Sequence, residues 1–370
     1  MKIAHVCLSL GKGGAEKLLV DTLPLYVKDG HQVTIVQLSS ILEEATYIDT
    51  VLQAGIQVIT LSKGGFRNPL LFFKILNLVK KNNFDVIHVH LFPCLYYFSL
   101  ASRIIKMPVL VFTEHSTQNG RTVKKILQPI EKYMYSRYDA IIAISHNVES
   151  MLKGWIPELI HKVLLINNGV SVDKFHSAEA YDGNYLKKHF DVDENDFKIF
   201  MASRFSGPKD QSTIIRAISK LPNDFHAFFA GDGDDLQKSK NLVAELQLEE
   251  RVHFLGFRSD IPQLMKTADI NVLSSFFEGF SGVTLEGLSS GKPFLGADVP
   301  GINDVVPNEN FLFEKENALE LSEKILKICH HADVRESMTT TALEHVRKYD
   351  VQIMLQNHLS LYKKLQRLNH

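Results

Sequence analysis

Three cysteines, one tryptophan and twelve prolines in 370 residues leave several classes of protein without support. Cys7, Cys94 and Cys329 are odd in number and widely scattered, so they outline neither a disulfide framework nor a metal-ligand set. Reduced thiols in a cytoplasmic protein are the expectation. A long hydrophobic run is missing too. The most apolar stretch, 91–112, is broken by Arg103, Lys106 and Pro108, whereas a membrane span needs roughly 20 apolar residues. Residues 3–10 run straight into Gly11-Lys12-Gly13-Gly14 with no small-residue cleavage site, so they read as a buried strand and not as a leader. No short repeat or low-complexity tract appears, which excludes a solenoid. The formal charge of −1 carries no nucleic-acid signature.

What remains is an ordinary globular composition, 45% hydrophobic and 22% charged, in a chain whose length suits two domains. The near-zero charge hides an asymmetry. Residues 1–170 carry a net +6 and the remaining 200 a net −7, as expected for two domains meeting different partners. Short β-branched runs at 3–10, 33–38, 56–61, 86–90, 109–113, 140–144 and 163–166 alternate with helical patterns such as 15–27 and 69–80. They lack strict apolar–polar alternation, so the strands should be buried on both faces of a parallel sheet. The pattern restarts at 199–203, 226–230, 252–255, 270–273 and 293–296, with helices at 212–220 and 236–246. Between the sets, 173–196 is polar and fits no strand. Beyond about 315 only helices are expected, at 318–330, 334–347 and 351–368. The reading is α/β: two doubly wound, Rossmann-like domains facing across a cleft, 1–168 and 169–350, with the helix at about 351–370 packing back on the first. Ligands of such sheets lie at the carboxyl ends of the strands.

Four clusters fall at such ends. Gly13 and Gly14 follow the first strand and open a helix, where glycines admit a phosphate to unpaired N–H groups. Glu16 stands where a dinucleotide fingerprint needs glycine, so that fingerprint fails. Glu278-Gly279-Phe280-Ser281-Gly282-Val283-Thr284-Leu285-Glu286 spaces two glutamates eight positions apart, one on a loop and one on the helix that it opens. The intervening N–H groups form an anion site, and each carboxylate can accept from hydroxyls. Arg204 and Lys209 leave the first strand of the second domain, as a diphosphate clamp would require. His115 ends an apolar strand of the first domain. Asp232-Gly233-Asp234 has the form of a metal motif but sits in a glycine-rich turn, and it reads as structural.

Taken in this order, these motifs resemble the retaining glycosyltransferases of family 4, which have the GT-B fold. The resemblance extends over essentially the whole chain through Gly13-Gly14, His115, Asn167-Asn168-Gly169-Val170, Arg204 with Lys209, Gly231-Asp232-Gly233, the two glutamates, and Gly291-Lys292-Pro293. It implies a nucleotide-diphosphate sugar held mainly by the second domain. In that family pattern Glu286 would hold the ribose, Glu278 the transferred sugar, and Arg204 and Lys209 the diphosphate. Gly13 and Gly14, with Phe280, Ser281, Gly282 and Val283, would line the donor, and His115 would meet the sugar near the reacting carbon. Gly282 and Asp234 depart from the residues common there.

The resemblance implies transfer with retention from a nucleotide sugar, UDP being the expected base, to a saccharide or lipid-linked acceptor. No cofactor and no metal are expected. A sugar-nucleotide 2-epimerase and a non-catalytic scaffold share the architecture. Arg121–Leu127, together with 132–137, sets cations along a helix that carries Ile, Leu and Tyr, a pattern of either a solvated helix face or peripheral contact with anionic membrane.

Overall fold

The computed structural model describes residues 1–11, 13–40, 47–116 and 124–369. The chain divides into two compact units: Met1–Gly169 with Val351–His370, and Val170–Asp350.

Unit 1 opens with β1 (Lys2–Cys7), α1 (Gly14–Lys28), β2 (Gln32–Gln37), α2 (Ile48–Gln53) and β3 (Gln57–Thr60). It continues with α3 (Leu70–Asn82), β4 (Val86–His90), α4 (Cys94–Ala101) and β5 (Val109–Glu114). Then come α5 (Gln128–Ser136), β6 (Ala140–Ala143), α6 (His146–Trp155) and β7 (Val163–Leu165). The strands pair in parallel in the order β3-β2-β1-β4-β5-β6-β7. The central strands β4 and β5 are buried throughout, which is why their sequences do not alternate.

Unit 2 begins with two helices, α7 (Val172–His176) and α8 (Gly183–Phe190). The polar segment 173–196, which the sequence showed only to fit no strand, holds most of α7 and all of α8. Asp182 caps α8 by accepting from Tyr185 N at 2.8 Å, and Leu186 is its one buried side chain. So short an apolar stripe gives little sequence signal. Next come β8 (Phe197–Ala202), α9 (Gln211–Ile218), β9 (Phe225–Ala230), α10 (Leu236–Glu245), β10 (Val252–Gly256) and α11 (Ile261–Thr267). They lead to β11 (Ile270–Leu273), α12 (Gly282–Ser289), β12 (Phe294–Ala297) and the two-residue β13 (Leu312–Phe313), which the sequence did not reveal. The sheet runs β10-β9-β8-β11-β12-β13, again parallel. Helices α13 (Ala318–His330) and α14 (Ala332–Val346) complete the unit.

The last helix, α15 (Val351–Asn369), belongs to unit 1, where Met354, Leu355, Leu359 and Tyr362 join the core formed by α1 and one face of the sheet. Gly169 lies against the Val351 backbone, with 2.7 Å between the Val351 Cα and the position of a β-carbon on residue 169. Only glycine fits there. Both sheets reverse their strand order once, between β1 and β4 and between β8 and β11, and each reversal leaves a crevice at the carboxyl ends of those strands.

Candidate functional site

In unit 2 the two loops that leave β8 and β11 are fastened to each other. Asp210 N donates to Ser274 O at 3.1 Å, Phe276 N donates to Pro208 O at 2.9 Å, and Lys209 pairs with Ser275 as an isolated bridge. The buried Asp210 carboxylate secures the junction. It caps α9 by accepting from Thr213 N at 3.1 Å and also accepts from Ser274 Oγ at 3.0 Å. This frame sets the Lys209 ammonium directly on the Glu278 carboxylate, with 17% and 14% of the two side chains exposed. Ser275 Oγ donates to the same Glu278 oxygen at 2.8 Å. Arg204 stands exposed on the β8 loop, and Gln211 Nε2 ties down its carbonyl at 3.2 Å.

Helix α12 starts within this crevice. Ser281 is its N-cap, accepting from Thr284 N at 3.2 Å and from Thr284 Oγ1 at 2.8 Å. Gly282 and Val283 form the first turn, Phe280 packs against the unit 2 core, and Glu286 lies partly buried one turn on. A β-carbon on Gly282 would meet nothing within 4 Å, so the N-terminus of α12 is sterically open to an anion. Unit 2 therefore unites Lys209 and Glu278 and places Arg204, Phe280, Ser281, Gly282, Val283 and Glu286 around the same reversal.

The neighbouring Gly231-Asp232-Gly233 turn has a structural explanation. Gly231 and Gly233 have φ of +147° and +150°, and β-carbons there would strike the carbonyls of Ser203 and Phe205. Phe205 N donates to Asp232 O at 3.0 Å. The turn thus carries the Arg204 loop, and its glycines are required by contact with that loop.

In unit 1, Gly13 is the N-cap of α1 and Gly14 its first residue. A β-carbon on Gly13 would collide with the Glu16 carboxylate, whereas one on Gly14 would meet nothing within 4 Å. Glu16 occupies the third helical position, where an acid folds back on the cap, and burial raises its pKa. Glycine at 13 therefore makes room for Glu16, a role the phosphate reading did not consider.

His115 follows β5. Its Nε2 lies 3.1 Å from His90 Nδ1, and His90 Nε2 lies 3.1 Å from His5 Nδ1. Register explains the cluster: His5 sits opposite His88, and His90 opposite Thr113, so alternate residues of three strands share the face covered by α1 and α15. His88 bonds Tyr362 OH and Thr113 Oγ1, each at 2.6 Å. Burial pushes the pKa of His5 down to about 3 and those of His115 and His358 to about 4, with His88 and His90 also well below their usual value. Ring nitrogens of His5, His88 and His90 approach within 4.8 Å, close enough to hold a metal. The sequence showed no such geometry among the histidines, because it depends on strand pairing. For His88, however, coordination would break one of two short bonds to hydroxyls.

Described residues also line cavities in each unit. One, of about 20 Å³ against His5, His90, His115 and His358, has room for about one water. The other, about 380 Å³, is bordered by Asp269, Lys292 and Arg335 at the amino ends of the unit 2 strands, opposite Arg204, Lys209 and Glu278 but beside the Gly291-Lys292-Pro293 motif. Asp210, Ser274 and Ser275 escaped the sequence reading. The Asp210-x-x-Thr213 spacing is a cap signal, but nothing local shows that Asp210 also holds the β11 loop.

Two family profiles match the chain: Glycosyltransferase Family 4 over residues 12–174 and Glycosyl transferases group 1 over 184–345. The chain is 25% identical over 328 residues to the UDP-Gal:alpha-D-GlcNAc-diphosphoundecaprenol alpha-1,3-galactosyltransferase of Escherichia coli, covering 85% of this chain and 84% of that one. Among solved structures, a glycosyltransferase from Rickettsia africae superposes with a TM-score of 0.85 at 23% identity, covering 98% of both chains. Anabaena HepE in complex with UDP-glucose gives 0.81 at 25% identity, over 98% of this chain and 100% of that one. With both units matched and the fold shared, the chain belongs to the family 4, group 1 glycosyltransferases of the GT-B class.

Proposed function

We propose that this glycosyltransferase takes its sugar from a UDP-linked donor bound by unit 2 and passes it, with retention of anomeric configuration, to a lipid-linked saccharide bound by unit 1. The observation that carries the donor half is the Lys209–Glu278 pair at the β8/β11 reversal, beside the open N-terminus of α12. Arg204, Lys209 and the N–H groups at Gly282 and Val283 stabilise charge as the diphosphate departs, an electrostatic effect worth several kcal/mol. Glu286 accepts from the ribose, Glu278 from the transferred sugar, and Gly14 offers an N–H to phosphate. The acceptor oxygen joins the anomeric carbon on the face that the phosphate leaves, and the phosphate takes the acceptor's proton. Cation side chains and helix N–H groups supply the charge stabilisation, so the reaction needs no metal. The UDP-glucose complex of Anabaena HepE supports the choice of base, and the diphosphoundecaprenol substrate of the Escherichia coli relative supports the acceptor class.

The acceptor's lipid brings unit 1 to an anionic membrane surface. Ile104 and Ile126 are 62% and 84% exposed, Leu100 and Ile130 are also exposed, and Arg103, Lys106, Lys124 and Lys125 are interspersed among them. Exposed apolar side chains with cations interspersed along the chain suit an interfacial segment. Of the basic segment anticipated from sequence, Arg121, Thr122 and Val123 lie outside the described residues. No helix among the described residues is long and apolar enough to cross a membrane.

Thermal denaturation with a panel of nucleotide sugars, with and without chelator, tests the reading. The matching donor at 100 times its dissociation constant adds about 2.7 kcal/mol of stability, unchanged by chelator. No shift with any nucleotide sugar, or epimerised donor formed without acceptor, overturns it.

A further inference from the structure

The histidine cluster of unit 1 contains a directed chain. His5 and His90 are 2% and 4% exposed, and His115, at the carboxyl edge, is the partly exposed member. Bonds of 3.1 Å link His5 Nδ1 to His90 Nε2 and His90 Nδ1 to His115 Nε2. A neutral imidazole carries one N–H and one lone pair, so both bonds must run the same way. If His115 donates inward, the chain ends in an N–H at His5 Nε2. That atom is buried and has no hydrogen-bond partner among the described residues, and buried N–H groups without an acceptor are rarer than under-used acceptors. If His5 donates outward, His5 Nε2 is a lone pair, His90 donates from Nδ1, and His115 accepts at Nε2. The remaining nitrogen of His115 must then carry the hydrogen.

We propose that His90, backed by His5, is a positioning residue that holds His115 as its Nδ1–H tautomer, so that His115 meets the substrate as a neutral hydrogen-bond donor and not as a base. The substrate part rests on the function proposed above; the tautomer does not. Its natural partner is an acceptor oxygen, a sugar hydroxyl or a phosphate oxygen of the donor. Burial keeps these rings neutral at physiological pH, so the arrangement needs no carboxylate to orient it. Among the described residues, no carboxylate, lysine or arginine lines the small cavity against these rings.

The test uses the full-length protein labelled with ¹⁵N-histidine, read by two-bond ¹H–¹⁵N correlations that distinguish the tautomers. His5, His90 and His115 are each expected as Nδ1–H, unchanged between pH 5.5 and 8. His90→Leu should release His115 into a mixture of tautomers. It should also lower kcat for donor hydrolysis or transfer roughly 5- to 30-fold, the equivalent of one lost hydrogen bond, with KM for donor within about 2-fold. His90→Asn, whose amide reaches the Nδ1 position, should restore both the tautomer and the rate. The wild-type spectrum decides the chain even if a variant does not fold. An Nε2–H signal from wild-type His115, or a His115 tautomer unmoved in folded His90→Leu, overturns the proposal. So does a full rate in that variant. A wild type with the expected tautomers that neither binds nor turns over any nucleotide sugar overturns the proposed function and leaves the hydrogen-bond chain intact.

Discussion

The two units share one topology and arm it with different chemistry. Each places its motif residues at the carboxyl ends beside the single reversal of strand order. In unit 1 the described part of that edge carries a largely buried cluster of histidines and hydroxyls, with Glu16 and Glu114 as its acids. In unit 2 it carries Arg204, Lys209, two glutamates and an uncrowded helix N-terminus. Net charge does not foretell this: the basic half of the sequence carries the histidine cluster, and the acidic half carries Arg204 and Lys209. Summed charge over a domain describes its long-range field, whereas a binding edge is set by which residues the register delivers to it.

Acid should break the symmetry most strongly. His5, His88, His90, His115 and His358 all have folded-state pKa values depressed by burial. Below about pH 6.5 the unfolded chain binds protons at these rings and the folded one does not. Their contribution is therefore complete above pH 6.5 and is lost as pH falls toward about 4, where His115 and His358 charge in place. Each ring costs about 1.4 kcal/mol per pH unit in that window, so several together match the whole stability of a domain. Unit 2 holds fewer such rings, His226, His253 and His345. Hydrogen exchange between pH 7 and 4 should show unit 1 losing protection first. Loss in unit 2 first contradicts the comparison.

Backbone geometry gives the next largest effect. Gly231→Ala puts a methyl group against the Ser203 carbonyl at a φ that alanine resists, for roughly 2–5 kcal/mol. Urea unfolding should show the loss in unit 2, with unit 1 unchanged. Gly14→Ala, which meets open space, should lie within about 0.5 kcal/mol of wild type.

These contrasts also show what the sequence could convey. The βα alternation and the apolar runs made both parallel sheets legible, because buried strands must be apolar whatever their neighbours. The family 4 resemblance was legible because Gly13-Gly14, Arg204 with Lys209, and the two spaced glutamates are local patterns. Pairing was not. Nothing near His5 in the chain announces His88 or His90, and nothing near Asp210 announces Ser274. The short α8 and β13 escaped for a related reason: one buried leucine, or two residues of strand, carries too little periodicity.

The Lys209–Glu278 pair sharpens the view of unit 2 as the charged edge. Lys209→Met leaves Glu278 partly buried with Ser275 as its remaining partner among the described residues, and Glu278→Gln leaves the Lys209 ammonium without its anionic partner. A double-mutant cycle in thermal stability should give a coupling of about 1–3 kcal/mol. Nucleotide binding should separate the two residues: Lys209→Met weakens binding of UDP more than of uridine, whereas Glu278→Gln leaves UDP affinity nearly intact and lowers turnover. Equal losses of UDP affinity in both variants contradict that division.

The smallest effect isolates the helix N-terminus. Gly282 opens α12 with no atom within 4 Å of a β-carbon placed on it, and Ser281 already supplies the cap through Thr284. Alanine loses less backbone freedom on folding than glycine, so Gly282→Ala should raise stability by about 0.4–1 kcal/mol. The same methyl group would stand beside the first-turn N–H groups, where the proposed donor's phosphate would approach. Gly282→Ala is thus expected to melt slightly higher and to bind UDP several-fold more weakly, about 1 kcal/mol, in paired calorimetric and thermal measurements. Ser281→Ala provides the contrast, since it removes the cap and should cost about 1 kcal/mol of stability. If Gly282→Ala melts higher and binds UDP as the wild type does, the N-terminus of α12 is an ordinary helix start, and the anion site of unit 2 rests on Arg204 and Lys209 alone.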